Sequence, residues 1–156
     1  MRAFFIILVA IFFIGCESLD KNHGIFQKDK TYQKAIRNTQ KGEIINSLET
    51  KGVIVATYLT PLYEEYSEGE NFLVGIYTNS IVNENLALDD ENYNLVLENE
   101  QNLKIEEIDK NHKVFQNMPF INEWFRYYLV KGEEREVLNL TFLHKDFGSV
   151  KLHFAK

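Results

Sequence analysis

The chain has 156 residues, 45% of them apolar, and sets 17 Lys and Arg against 23 Asp and Glu for a net charge of −6. That length suits one domain with a sizeable core, and the negative balance argues against a nucleic-acid partner and against electrostatic adhesion to anionic lipid. A single cysteine excludes an intrachain disulfide.

The first stretch is Met1-Arg2 followed by twelve apolar residues, Ala3 to Ile14, and then Gly15 and Cys16. Twelve residues make about 18 Å of helix, short of the roughly 30 Å hydrocarbon core, so a spanning helix is a poor reading. Phe13 is also too large for the small-residue pattern of an ordinary secretory cleavage site. Polar residues (Glu17, Ser18, Asp20) follow at once. The ending Phe13-Ile14-Gly15-Cys16 resembles the lipobox of bacterial lipoproteins, with phenylalanine where that family usually has leucine. The resemblance implies cleavage before Cys16, a diacylglyceryl group on its thiol and a further acyl chain on its amine. Several chains give far firmer anchoring than one. It further implies that residues 1–15 are a leader, that the bilayer is a partner, and that the protein faces the periplasm of a bacterial envelope. Glu17, standing where an aspartate would signal inner-membrane retention, favours the outer membrane. Cys16 carries the only covalent group expected, and no cofactor is implied. Removing Arg2 with the leader leaves a side-chain charge of −6 − 1 = −7.

Residues 16–28 read as the lipidated cysteine and a polar linker, whose twelve residues after Cys16 reach at most about 40 Å. Residues 29–156 read as one domain. Asp29 to Thr50 is expected to be an amphipathic helix, with Tyr32, Ala35, Ile36, Ile45 and Leu48 near one face and Gly52 ending it. The period then changes to two. Val53 to Thr60 and Asn71 to Thr78 read as strands flanking an acidic loop, Tyr63 to Glu70. Asn79 to Asn92 reads as a longer connection with a short edge strand around Ile81-Val82 or Leu86-Leu88.

Tyr93 to Glu98 and Asn102 to Ile108 read as a hairpin, pairing Leu97 with Leu103 and Leu95 with Ile105 around an Asn99-Glu100-Gln101 turn. Trp124 to Lys131 and Glu136 to His144 are expected strands joined by the polar Gly132 to Arg135 turn. In the last pair, Asp146-Phe147-Gly148 fits a three-residue hairpin loop. That register sets His144 opposite Val150, Phe142 opposite Leu152 and Leu140 opposite Phe154. The pattern points to a mainly β fold: an antiparallel immunoglobulin-like β-sandwich of about seven strands, preceded by one amphipathic helix and without a disulfide.

Chemistry-bearing residues are sparse. His-Glu-x-x-His, a Cys/His cluster and a nucleophile elbow are all missing from the sequence. His144 and His153 fall on opposite faces of their hairpin, so they cannot share a metal, while His23 and His112 lie in the linker and a loop. Asp146-Phe147-Gly148 spells the kinase metal tripeptide without any other kinase element, and is read as turn chemistry. The acidic runs lack EF-hand spacing; Asp89, Asp90 and Glu91 are the best calcium ligands if carboxylates converge in a loop. Within Trp124 to Val130, Phe125, Tyr127 and Leu129 form one apolar face, assigned to the core. Trp124, Arg126 and Tyr128 lie opposite and combine residue types enriched at interface hot spots. The leading expectation is a non-enzymatic interaction or assembly module that binds another envelope protein. The alternative is a lipoprotein that binds calcium or a small ligand.

Overall fold

The computed structural model describes residues 30–79, 87–98 and 103–156. Half of these residues lie in strands, arranged as antiparallel sheets of five and three strands with one α-helix. The helix α1, Lys30–Arg37, is much shorter than the expected Asp29 to Thr50. It stops because two side chains take over its last carbonyls. Asn38 Nδ2 donates to Lys34 O at 2.9 Å and Thr39 Oγ1 donates to Ala35 O at 2.7 Å, the C-terminal counterpart of a side-chain cap.

The second half of the expected helix is strand β1, Thr39–Asn46, paired with β2, Glu49–Tyr58. Local spacing favoured a helix there, but tertiary pairing overrides it. Gly42 shows why: a Cβ at that position would lie 2.5 Å from Val150 Cγ2, so the second sheet approaches β1 where it has no side chain. The two strands meet in a two-residue turn whose Ser47 (φ 51) and Leu48 (φ 68) both hold positive φ. Such turns normally carry Asn-Gly, because the left-handed region costs other residues roughly 1–2 kcal/mol. Leu48→Gly is therefore expected to raise the unfolding free energy by about 1 kcal/mol, readable as a higher urea midpoint with unchanged slope.

The larger sheet runs in the order β1-β2-β3-β6-β5, where β3 is Glu70–Thr78, β5 Lys104–Ile108 and β6 Arg126–Gly132. The smaller runs β4-β7-β8, with β4 Tyr93–Leu97, β7 Leu138–His144 and β8 Gly148–Phe154. The expected hairpin of Tyr93 to Ile108 does not form. Instead β4 pairs with β7 (Leu95 with Phe142, Leu97 with Leu140), and β5 pairs with β6 (Ile105 with Val130). This exchange buries Leu95 and Leu97, whereas β5 becomes an edge with only Ile108 buried. Residues 99–101, the expected turn, and the suggested edge strand around 81–86 lie outside the described residues. The Gly132 to Arg135 turn likewise leads from one sheet to the other.

The β7–β8 hairpin forms with its register displaced by two residues, placing His144 opposite Gly148, Phe142 opposite Val150 and Leu140 opposite Leu152. A shift of two preserves the faces, so His144 is buried and His153 exposed, on opposite sides as expected. The loop is Lys145 to Phe147 because His144 Nδ1 accepts the N–H groups of Asp146 (3.0 Å) and Phe147 (3.2 Å). The Phe147 ring stacks on the His144 imidazole at 4.1 Å. Gly148 (φ 97) then supplies the left-handed residue as a strand position rather than a loop position.

The main core draws on both sheets: Ile54, Tyr58, Phe72 and Val74 from the larger, Leu95, Leu140, Phe142 and Phe154 from the smaller. The other face of the larger sheet carries a second core, where Leu59, Leu73 and Tyr127 pack with Ala35 of α1 and with Val114 and Met118. Strands covered on both faces need apolar residues at nearly every position. The runs Phe72 to Tyr77 in β3 and Tyr127 to Val130 in β6 have that composition.

Candidate interaction surface

The expected recognition stripe is not one surface. Trp124 precedes β6, in a turn, and is 76% exposed. Tyr128 is 3% exposed and belongs to the main core, because both faces of β6 are covered. Its hydroxyl lies by the Leu88 main chain but makes no hydrogen bond of good geometry among the described residues. Tyr128→Phe is therefore expected to change stability by less than about 1 kcal/mol, with any change favourable, as read by thermal or urea denaturation.

Arg126 is half-buried between two carboxylates. Its Nε and Nη2 donate to Glu107 at 2.8 and 2.6 Å, and its Nη1 donates to Asp89 at 2.5 Å. The hydrogen bond to Glu107, with that to Asp89, overcomes burial and raises the guanidinium further above its ordinary value. Arg126 therefore ties the 87–90 turn to edge strand β5 rather than facing a partner.

That bridge also dismantles the calcium candidate. Asp89 is engaged by Arg126, while Asp90 Oδ1 accepts Asn92 N at 3.0 Å and Asn92 Nδ2 at 2.7 Å. Glu91 is exposed. Among the described residues, no three His, Cys, Asp or Glu side chains gather as a metal site would require. Elsewhere Glu65 pairs with Lys113, and His112 Nδ1 accepts Val114 N at 3.3 Å, so these groups are also spent locally.

Besides Trp124, the structure exposes Phe120 and Ile121, two apolar residues of the loop that precedes it. Phe120 is 62% exposed and holds φ 61, a strained conformation for an aromatic residue. The loop is pinned from below. Asn122 N donates to the Tyr127 hydroxyl at 2.6 Å, and that hydroxyl donates to Asn122 O at 3.1 Å. Asn122 Oδ1 accepts Trp124 N at 2.9 Å, closing the turn that presents the indole. Phe125 packs over Gly75, where a Cβ would come within 3.0 Å of the Phe125 ring.

Between this loop and the outer face of β1 and β2 lies a groove of about 430 Å³, lined by Thr39, Lys41, Val55, Phe120, Ile121, Asn122 and Phe125. Its volume falls within the range of ligand clefts. The lining offers apolar contact and one cation, Lys41, itself paired with Glu43 at 2.6 Å. Its polar side chains are engaged within the chain, Thr39 Oγ1 with Ala35 O and Thr57 Oγ1 and Lys41 with Glu43. What it can do is receive an apolar side chain beside an aromatic rim. Three apolar residues within Pro119-Phe-Ile-Asn-Glu-Trp124, a segment without strand periodicity, are the one sequence signal that could have found it.

No family model, curated protein or solved structure matches this chain.

A second cavity, about 300 Å³, is polar, with Tyr58, Thr60, Glu70, Glu134 and Lys156 among its lining. Glu70 is 1% exposed, and its carboxylate accepts from Tyr58 Oη at 2.6 Å, Lys156 Nζ at 2.7 Å and Arg135 N at 3.0 Å. Burial would raise this carboxyl. The hydrogen bonds from Lys156, Tyr58 and Arg135 N–H, with the Lys156 charge, outweigh it and hold the group below the usual carboxylate range. Both carboxylate oxygens are engaged by donors from within the chain, so the constellation serves the fold.

Proposed function

We propose that this protein is a bacterial envelope lipoprotein, anchored through acylated Cys16, whose folded part is an immunoglobulin-like β-sandwich acting as a non-enzymatic interaction or assembly module. Phe13-Ile14-Gly15-Cys16 supports the anchor and an envelope location facing the periplasm, and Glu17 favours the outer membrane. Two antiparallel sheets sharing one core support the sandwich reading. The observation that carries the interaction reading is the pinned loop, which holds Phe120 and Ile121 exposed at the edge of a groove and exposes Trp124 in the turn that follows. Exposed aromatics on a fixed backbone bind at low entropic cost. The partner is another envelope protein.

The anchor is tested by metabolic labelling with a clickable palmitate analogue. The wild type is expected to take the label and sediment with membranes, and Cys16→Ala to lose both properties. The interaction is tested by photo-crosslinking in the native cell from a probe replacing Phe120. One discrete adduct is expected. Trp124→Ala should abolish it while altering stability by less than about 0.5 kcal/mol, since the indole is exposed. A folded, anchored protein that gives no adduct sinks the interaction reading. Saturable binding of a small apolar probe in the groove would then favour a ligand-binding lipoprotein.

A further inference from the structure

We propose that the tip of the β1–β2 hairpin, Leu48 with Ile45, is a second contact with the bilayer and orients the domain on the membrane that holds Cys16; this rests on the anchor reading above.

Leu48 is 100% exposed and Ile45 58% exposed, so an apolar tip projects into solvent. Leu48 also holds φ 68, where asparagine or glycine would relieve the backbone. The chain thus keeps an apolar side chain at a strained position where no contact within the folded domain offsets the cost. A projecting finger of this kind asks for a medium that closes around it, whereas a protein partner would need a matching hole.

Charge on the hairpin fits a lipid surface. Its two strands carry four charged side chains, and these form two pairs: Lys41 with Glu43 at 2.6 Å and Lys51 with Glu49 at 2.5 Å. Asn46 and Ser47 complete the tip without charge. The hairpin carries no net charge although the chain carries −6, so its tip meets no net repulsion from anionic headgroups. Two apolar side chains are too few to hold a free domain on lipid. A domain tethered through a linker of at most about 40 Å stays at high effective concentration, so a weak contact suffices to set its orientation.

The test uses the mature, acylated lipoprotein in vesicles of phosphatidylcholine and phosphatidylglycerol (3:1). Acylation consumes Cys16, so Leu48→Cys supplies the one free thiol for an environment-sensitive nitrobenzoxadiazole label. Glu134→Cys, beside the Tyr58 and Glu70 cavity at the far end of the sheet, is the control position. The label at 48 is expected to brighten at least twofold over detergent-free buffer and to be quenched by spin-labelled lipid, and the label at 134 to do neither. A label at Ile45→Cys should lose most of its brightening when Leu48→Asp is added. Equal responses at 48 and 134, in protein that floats with the vesicles, would overturn the proposal. So would a response at 48 that appears only after envelope membrane proteins are added, which would make the tip a protein contact. Protein that fails to float would remove the anchor reading, and this proposal with it.

Discussion

Glu70→Ala is expected to lower the unfolding free energy by about 2–4 kcal/mol, the order expected when buried donors lose a charged acceptor. The carboxylate sits on β3, and its donors come from β2 (Tyr58), from the connection into β7 (Arg135 N–H) and from the residues after β8 (Lys156). It therefore joins the two sheets at one end. Beneath it Tyr58, Phe72 and Phe154 form an aromatic cluster with centroid separations of 5.2 to 6.2 Å. Alanine leaves a buried phenol and a backbone N–H without an acceptor.

The pH dependence has a definite sign. Glu70 is held below the usual carboxylate range in the folded protein, so its contribution is complete above the unfolded value of about 4.3 and is lost as pH falls through the lowered one. Acidification below about pH 4.3 should therefore weaken the wild type more than Glu70→Gln, which has no carboxyl to protonate. Urea midpoints measured from pH 6 to pH 3 would test this. Parallel acid limbs for the two proteins would refute the assignment of that slope to Glu70. Tyr58, raised chiefly by burial and then by its bond to Glu70, remains a donor throughout this range.

Phe142→Ala should cost a similar amount, about 3–5 kcal/mol, for a different reason. Phe142 is fully buried in the main core, and its ring stacks on Tyr93 at 5.3 Å with planes 12° apart. Across the core stands Gly52 of β2, where a Cβ would approach Phe142 Cε1 to 2.8 Å and Tyr93 Cε1 to 3.2 Å. Gly52→Ala alone should therefore destabilise by overpacking, by about 1–3 kcal/mol. Combined with Phe142→Ala it should cost less than the sum, because the new methyl enters the space the ring vacates. Strict additivity in this double-mutant cycle would show that the two positions are not in contact.

The strands themselves were largely legible. β2, β3, β7 and β8 were found from alternation, and the β7–β8 faces were right although the register moved by two residues. That shift came from the His144 imidazole capturing two loop N–H groups, a tertiary bond with no sequence period. β1 was misread as helix because Tyr32 to Leu48 carries apolar residues at spacings compatible with both periods. Only the approach of Val150 and Leu152 to Gly42 decides between them. The Trp124, Arg126 and Tyr128 stripe failed for a related reason. Alternation assigns a core face and a water face, but both faces of β6 contribute to cores, Tyr128 and Val130 to one and Tyr127 and Leu129 to the other.

The sequence by itself determined the class of this fold: mainly β, with one helix and no disulfide. Those properties follow from composition, short-range periodicity and covalent chemistry, which need no knowledge of which strand meets which. The tertiary structure alone decided that β4 and β5 belong to different sheets, that Tyr128 is core, that Asp89 is bound to Arg126, and that Phe120, Ile121 and Trp124 share an exposed loop. Each of these depends on contacts between residues distant in the chain. Burial is a property of such contacts, and one strand's pattern cannot report what covers its other face.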